Sequence, residues 1–136
     1  MLFQIGNDSQ MNPIFTTVPI RYNILLNSKM SREAKYATIV HELAHLYCGH
    51  IGTPNVKWWP NRIGLDGSIT EFEAESVSYL VCARKGITSP SASYLSGYLS
   101  ANTEVPNLSL ECVLKAAGLI EAMGKERMKM RKEKEP

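Results

Sequence analysis

At positions 41 to 45 the chain reads His41-Glu42-Leu43-Ala44-His45. Residues four apart lie on one face of an α-helix, so both imidazoles can point at a single metal ion. Glu42 lies about 100° further round such a helix, where its carboxylate can take a proton from a water at that ion without binding the metal. The stretch therefore predicts a helix that carries a metal centre, and the interpretation of the rest of the fold depends on it.

The residues that flank this motif are uncharged and mostly apolar, which predicts a helix buried on most sides. We expect this helix to begin after Ser31, a good N-cap residue, and to end near Gly49. Unpaired polar groups are costly in a buried helix, and a metal ion would satisfy the two histidines. The alternative is a pair of core histidines that are satisfied by hydrogen bonds alone.

The third ligand distinguishes between two classes of zinc site. In one class a glycine follows the first histidine by seven residues, and a third histidine follows it by ten. Cys48 and Ile51 occupy those two positions here, so this pattern fails. The other class takes a glutamate from a second helix, and the segment from Thr70 to Ser76 offers three glutamates.

Two capping registers assign different roles to these glutamates. Thr70 and Glu73 have the spacing of a capping box, which would place Glu73 at the helix start and leave Glu71 and Glu75 together on the opposite face. In that register Glu71 binds the metal, and Glu75 accepts the free N–H of a ligating histidine. The competing register uses Ser68 as the cap with Glu71 as its partner, which leaves Glu75 for the metal. We prefer Glu71 as the ligand.

The length of 136 residues fits one domain, expected over residues 1–124, followed by a charged tail at residues 125–136. The net charge is +2, from 15 basic and 13 acidic residues. The tail alone holds six basic and three acidic residues, so the body has no strong signature of nucleic-acid binding. We therefore expect no direct contact with nucleic acid, and we interpret the tail as a solvated segment rather than as a surface for an acidic partner.

The cysteines are odd in number and widely spaced, at Cys48, Cys82 and Cys112, which favours free thiols in a reducing cytoplasm. Cys48 lies seven residues after His41, on the face that carries the ligands, so it is either an extra ligand, a redox-active thiol or a small core residue. No stretch approaches the roughly 20 apolar residues of a membrane span, and no signal peptide is expected. The expected location is the cytoplasm.

The hydrophobic pattern changes from strands at the start of the chain to helices in the rest, which predicts an α+β fold. A strand is predicted where Tyr22, Ile24 and Leu26 alternate with their neighbours, and weaker strands at 2–5 and 14–18. We expect this antiparallel or mixed sheet to pack on the metal-site helix. Three further helices are predicted, from Thr70 to Lys85, from Ser89-Pro90 onward, and from Asn107 or Ser109 onward with an apolar stripe at Leu110, Val113, Leu114, Ala117 and Ile120.

Three features together resemble the ImmA/IrrE-type metallopeptidases: the motif at 41–45, the Gly49-His50 that follows it, and Glu71-Phe72-Glu73-Ala74-Glu75 leading into an apolar helix. They are also similar to the metallopeptidase domain of ArdC-like antirestriction proteins. The resemblance covers residues 38–86 and implies a small zincin-like domain of the zinc-glutamate type. It implies zinc ligands at His41, His45 and Glu71, and a general base at Glu42. Many relatives carry Asn where this chain has Glu75.

What the resemblance implies about function is a zinc-dependent metallopeptidase of a bacterium or a mobile element. Such a protein hydrolyses a peptide bond of a protein substrate, often a transcriptional repressor. Relatives often carry a DNA-binding domain; none is apparent here, so a DNA-binding partner or a further domain is expected to supply the substrate. Two alternatives stay open: a non-enzymatic binding or antirestriction-type module that keeps the fold, against which the intact Glu42 argues, and a closed structural zinc site with Cys48 as fourth ligand.

Several residues are candidates for handling the substrate. The strand at 22–26 is expected to be an edge strand that holds an extended protein segment over the zinc. The pair Trp58-Trp59 either lines the substrate cleft or covers the core. A further group must help the zinc to stabilise the oxyanion. The candidates are His50, Tyr47, Arg62, Tyr79, Tyr94 and Tyr98, of which the last two most simply form a core stripe.

Overall fold

The computed structural model of the chain describes residues 1–101, 104–126, 129 and 131. These residues form a two-stranded antiparallel sheet followed by helices, which confirms the α+β class. The tail predicted at 125–136 lies mostly outside the described residues. The elements are β1 (Leu2–Asn7), β2 (Pro13–Thr17), α1 (Arg32–Tyr47), α2 (Gly67–Arg84), α3 (Ser91–Ala101) and α4 (Leu110–Met123).

The two strands form a hairpin that begins with Leu2 opposite Thr17 and contains an irregularity between Gln4 and Gly6. Its turn is organised by Asp8, whose Oδ1 accepts hydrogen bonds from the backbone N–H groups of Gln10 and Asn12. The prediction that the sheet packs on the metal-site helix is wrong. Neither strand packs against a helix within the described part of the chain, and most of the hairpin residues are exposed. A lone hairpin buries too little apolar surface to form one layer of a core.

The strand predicted at Tyr22–Leu26 is also wrong. Residues 18–27 have no regular secondary structure, and no strand pairs with them among the described residues. The alternation that suggested a strand does survive as an alternation in exposure, since Leu25 is 93% exposed and Tyr22, Ile24 and Leu26 are 37–40% exposed. Side chains alternate in any extended backbone, but a strand also needs a hydrogen-bonded neighbour. The edge on which an extended substrate was expected to lie is therefore not formed.

The core lies between α1, α2 and α4, and α2 is the one described element against which α3 packs. Ala44, Ala74 and Ala116 are fully buried at this junction, where small side chains allow the helices to approach closely. Branched side chains fill the remaining space, with Val40, Val77 and Val81 among the most buried. This packing fixes α1 against α2, and both carry the residues of the predicted metal centre.

The bounds of α1 agree with prediction, whereas the start of α2 does not. Ser31 is the N-cap of α1, and its hydroxyl oxygen accepts a hydrogen bond from the N–H of Ala34. The N-cap of α2 is Asp66, whose carboxylate accepts from the N–H of Ser68 at 2.8 Å. Both predicted registers, with Thr70 or Ser68 as the cap, are therefore wrong. An aspartate at the N-cap satisfies the free N–H groups of the first turn, so α2 starts earlier and Glu73 lies well inside it.

The two later helices begin close to the predicted positions, with Ser109 as the N-cap of α4. The predicted stripe on α4 is only partly buried, since Val113, Ala117 and Ile120 pack in the core while Leu110 and Leu114 are exposed. None of the helices in the described part of the chain has both the length and the apolar character needed to cross a membrane.

Candidate metal centre

One turn of α1 and one turn of α2 bring His41, His45 and Glu71 together. The Nε2 atoms of the two histidines are 3.1 Å apart. The Glu71 carboxylate places Oε1 at 3.0 Å from Nε2 of His45 and Oε2 at 3.5 Å from Nε2 of His41. Three side chains from two helices therefore direct potential ligand atoms at one point at the protein surface.

The spacing of these atoms fits a metal ion. Ligand atoms bonded at about 2.0–2.1 Å in tetrahedral geometry lie about 3.3–3.4 Å from one another. The two Nε2 atoms are 3.1 Å apart, and each lies 3.0 or 3.5 Å from one oxygen of the Glu71 carboxylate, which is close to these values. The donor set of two imidazole nitrogens and one carboxylate also suits a divalent cation, so His41, His45 and Glu71 could hold one.

The second nitrogen of each histidine has a partner of its own. Nδ1 of His41 lies 3.2 Å from Oε1 of Glu75. Nδ1 of His45 lies 2.8 Å from Nδ1 of His50, whose Nε2 lies 2.7 Å from Oε1 of Glu73. Groups behind the ligands commonly orient metal-binding histidines in this way. Glu71 is therefore the carboxylate at the Nε2 side of both rings, and Glu75 lies behind His41.

Glu73 is fully buried and forms the centre of a hydrogen-bond network. Arg62 donates to both of its oxygens, at 2.6 and 2.8 Å, and the backbone N–H of Ser109 donates to Oε2 at 2.7 Å. Burial raises the pKa of the Glu73 carboxyl, but the hydrogen bonds from Arg62, His50 and Ser109 outweigh burial and hold this pKa below its ordinary value.

The prediction that Glu73 serves the helix cap is therefore wrong, and sequence reasoning missed its partners. One signal was available: Glu73 lies four residues before Val77 and eight before Val81, on the stripe of α2 that faces the core. A glutamate on such a stripe requires a buried cation. The sequence does not show that Arg62, from the loop before α2, supplies it.

The fold lowers the pKa of His45 below its ordinary value. Burial lowers its pKa, the neighbouring His41 and His50 lower it further, and the charges of Glu71 and Glu42 act in the opposite direction. The net effect favours a neutral imidazole, which is the form that binds a metal. Glu42 itself is exposed on α1, close enough to act on His45 electrostatically.

Cys48 is not part of this centre. It is completely buried in the core, and its Sγ lies 3.7 Å from the carbonyl oxygen of Cys112. Burial, with a smaller contribution from Glu73, raises the pKa of the Cys48 thiol to about 12, which opposes the thiolate that a metal or an oxidant requires. Cys48 also lies near His50 and Glu73, but those two side chains are committed to the network described above.

The candidates for oxyanion stabilisation differ in their contacts and in their exposure. His50 and Arg62 are bonded to Glu73, and the Tyr47 hydroxyl donates to the sulfur of Met123. Tyr94 is exposed rather than part of a core stripe, whereas Tyr98 packs edge-on against Phe72 at 5.2 Å between ring centroids.

Tyr94 is a tyrosine whose pKa is affected by two carboxylates of the metal centre. Burial raises the pKa of its hydroxyl, and the charges of Glu71 and Glu75 raise it further. Its hydroxyl therefore stays protonated near the carboxylates, as a hydrogen-bond donor must. Tyr79 is also exposed, on α2.

The two tryptophans lie away from the metal centre. Trp59 is buried, donates from Nε1 to the carbonyl oxygen of Gly52 and packs edge-on against Tyr47. Trp58 lines a cavity of about 660 Å³ between the helices and the first residues of the chain, and neither His41 nor His45 lines it. The guanidinium of Arg131 lies 5.2–5.8 Å from the ring centroids of Tyr47 and both tryptophans. These tryptophans therefore cover the core and line this cavity.

A smaller cavity of about 230 Å³ adjoins the metal centre. Its wall includes His41 and Glu75 together with the small side chains of Ala37, Thr38 and Ser91.

The comparisons with protein-family models, with curated proteins and with solved structures give no match to this chain.

Proposed function

We propose that this protein is a zinc-dependent metallopeptidase with a small zincin-like fold, and that it hydrolyses a peptide bond of a protein substrate. The observation that carries the proposal is the convergence of Nε2 of His41, Nε2 of His45 and the Glu71 carboxylate, with Glu42 next to His41 in the chain. Two histidines and a glutamate that leave one position open are typical of catalytic rather than structural zinc sites.

A zinc ion held by His41, His45 and Glu71 would lower the pKa of a water and polarise the scissile carbonyl. Glu42 is exposed and not a member of the ligand group, so its carboxylate is available to take a proton from the attacking water and to deliver it to the leaving amine. Tyr94, whose hydroxyl stays protonated beside Glu71 and Glu75, is our choice for a hydrogen bond to the developing oxyanion.

The exposure of the centre supports a macromolecular substrate. The Glu71 side chain is 45% exposed, so a segment of another protein can approach the ligand group directly. The small cavity beside His41 is large enough for one substrate side chain. By the resemblance, the substrate class is a transcriptional repressor or regulator in a bacterial cytoplasm, delivered by a DNA-binding partner or a further domain. The three free thiols are compatible with that compartment.

The decisive experiment measures metal content and cleavage on the same preparations. The wild-type protein and the Glu42→Gln variant are loaded with zinc and incubated with a proteome-derived peptide library and with candidate repressors. New chain ends are identified by mass spectrometry. We expect about one zinc per chain in both proteins, and cleavage by the wild type that is lost in Glu42→Gln, because the variant removes the base and no ligand.

Two results would overturn the proposal. One is equal cleavage by Glu42→Gln and wild type, which would exclude Glu42 as the base. The other is a wild-type protein that binds no zinc under conditions in which it is fully folded. Zinc binding without any cleavage across the library would instead support the binding module that keeps this fold.

A further inference from the structure

We infer that His50 is a positioning residue that holds His45 in the tautomer with its proton on Nδ1, so that Nε2 is free for the metal. The inference rests on the proposed metal centre and deepens it, since the sequence motif assigns no role to His50. It is carried by an unbroken chain of contacts, from Nδ1 of His45 through the His50 ring to the Glu73 carboxylate.

The chain of contacts begins at Glu73, which acts only as an acceptor. Its Oε1 receives a hydrogen bond from Arg62, and its Oε2 receives one from Arg62 and one from the backbone N–H of Ser109. An arginine and a backbone N–H can only donate, so Glu73 is a carboxylate in this arrangement. The second partner of Oε1 is Nε2 of His50 at 2.7 Å, and this nitrogen must therefore carry a proton.

The proton on Nε2 of His50 determines which nitrogen of His45 is protonated. A neutral imidazole carries one proton, so Nδ1 of His50 presents its lone pair. This lone pair faces Nδ1 of His45 at 2.8 Å, a distance that requires one donor and one acceptor. Nδ1 of His45 is therefore the donor, and its Nε2 carries a lone pair directed at Nε2 of His41 and at Glu71.

The tautomer of the other ligand, His41, depends on one contact, with Glu75. Nδ1 of His41 lies 3.2 Å from Oε1 of Glu75. A carboxylate beside Nδ1 favours the tautomer with the proton on that nitrogen, which leaves a lone pair on Nε2 of His41 as well. Two lone pairs and a carboxylate then meet with separations of 3.0–3.5 Å and no proton between them. Such a group is repulsive unless a cation lies at its centre, so the network prepares the site for a metal.

Glu75 and Glu73, the carboxylates behind His41 and His45, differ in burial and in the number of chain segments that they join. Glu75 is partly exposed and belongs to the same helix as Glu71. Glu73 is fully buried and joins three segments of the chain: α2, the loop that carries Arg62, and the first residue before α4. The orientation of His45 therefore depends on the correct packing of α4 and of that loop.

The test measures histidine tautomers directly by long-range ¹H–¹⁵N NMR on the metal-free full chain at pH 8. In the wild type we expect His45 to carry its proton on Nδ1 and His50 on Nε2. His50→Ala should release His45 into a mixture of tautomers and weaken zinc binding by about 10–100-fold. The variant should stay folded, since Glu73 keeps Arg62 and the N–H of Ser109.

Two further variants separate positioning from a merely structural role. His50→Gln should restore the Nδ1 tautomer of His45 and most of the zinc affinity, because its amide can accept from His45 and donate to Glu73. Glu75→Ala should disturb the tautomer of His41 and leave that of His45 unchanged. Neither expectation depends on peptidase activity, so a protein that binds zinc without cleaving peptides would overturn the proposed function and leave this inference intact.

The inference is overturned if wild-type His45 carries its proton on Nε2. It is equally overturned if His50→Ala weakens zinc binding while the tautomer of His45 stays unchanged, because His50 would then act through packing alone. An unchanged zinc affinity in His50→Ala also contradicts it.

Discussion

A neutral histidine has one lone pair, so a site built from two histidines depends on which nitrogen of each ring is protonated. In this protein the Nδ1 atoms of His41 and His45 face Glu75 and His50, respectively, on the side of each ring away from Glu71. By our inference, metal binding at this centre depends on Glu75, on His50 and on the Glu73 carboxylate behind His50, as well as on the ligands themselves. Two predictions belong to this scale.

The first concerns the two glutamates near His41. Glu71→Ala should abolish tight zinc binding, because Glu71 is the carboxylate at both Nε2 atoms. Glu75→Ala should weaken zinc binding by only about 10–100-fold, since Glu75 contacts Nδ1 of His41. A competition titration with a chromophoric chelator measures both affinities. A larger loss in Glu75→Ala than in Glu71→Ala would reverse the assignment of the ligand.

The second concerns Glu73, which the capping-box register placed at the start of the helix. Arg62→Ala should lower the free energy of unfolding by about 3–5 kcal/mol, because it leaves the buried Glu73 carboxylate without its cation. Chemical denaturation measures this change.

The chain offers a matched control in Arg84, which forms an ion pair with Glu121 between α2 and α4 but is 66% exposed. Arg84→Ala should cost less than about 1 kcal/mol. Equal losses in the two variants would show that the Glu73 network adds no more than a surface ion pair.

At the scale of the elements, the end of α1 is set by Gly49, which has φ +77°. A Cβ atom there would lie 1.9 Å from the carbonyl oxygen of Pro60, and the Gly49 carbonyl accepts from the N–H of Arg62 at 2.8 Å. The turn after α1 thus packs backbone to backbone against the loop that supplies Arg62. The geometry behind the metal centre depends on this contact.

We therefore expect Gly49→Ala to destabilise the protein by clearly more than the roughly 1–2 kcal/mol of a left-handed residue alone. Gly86, at the end of α2, is the matched control, because its φ is +69° and a Cβ atom there meets nothing within 4 Å. Thermal unfolding of both variants gives the comparison. A Gly49→Ala protein as stable as Gly86→Ala would mean that the loop adjusts without cost.

At the scale of the whole molecule, the hairpin and the helices differ in how firmly they are held. The core is formed by α1, α2 and α4, whereas neither β1 nor β2 packs against a helix among the described residues. Local opening is cheapest where few apolar contacts must be broken. The hairpin should therefore open without disturbing the metal centre.

Native-state hydrogen exchange tests this difference. The amides of β1 and β2 should exchange with opening free energies well below that of global unfolding, while those in the middle of α1 and α2 should exchange only through global unfolding. Hairpin amides protected as strongly as those around Ala44 and Ala74 would contradict the expected independence.

Much of the local structure was determined by the sequence, because it depends on neighbours in the chain. The bounds of α1, the start of α4 and the two strands of the hairpin follow from caps, glycines and periodicity, which act over a few residues. The placement of His41 and His45 on one helix face follows from helical geometry alone. These predictions needed no knowledge of tertiary contacts.

Tertiary structure alone decided the remainder. Whether residues 18–27 form a strand depends on a hydrogen-bonding neighbour, which the described structure does not provide. The role of Glu73 depends on Arg62 and on Ser109, 36 positions further along the chain, and on the His50 ring that faces His45. A buried carboxylate is stable only with such partners, and packing of the helices, rather than spacing in the sequence, brings them to it.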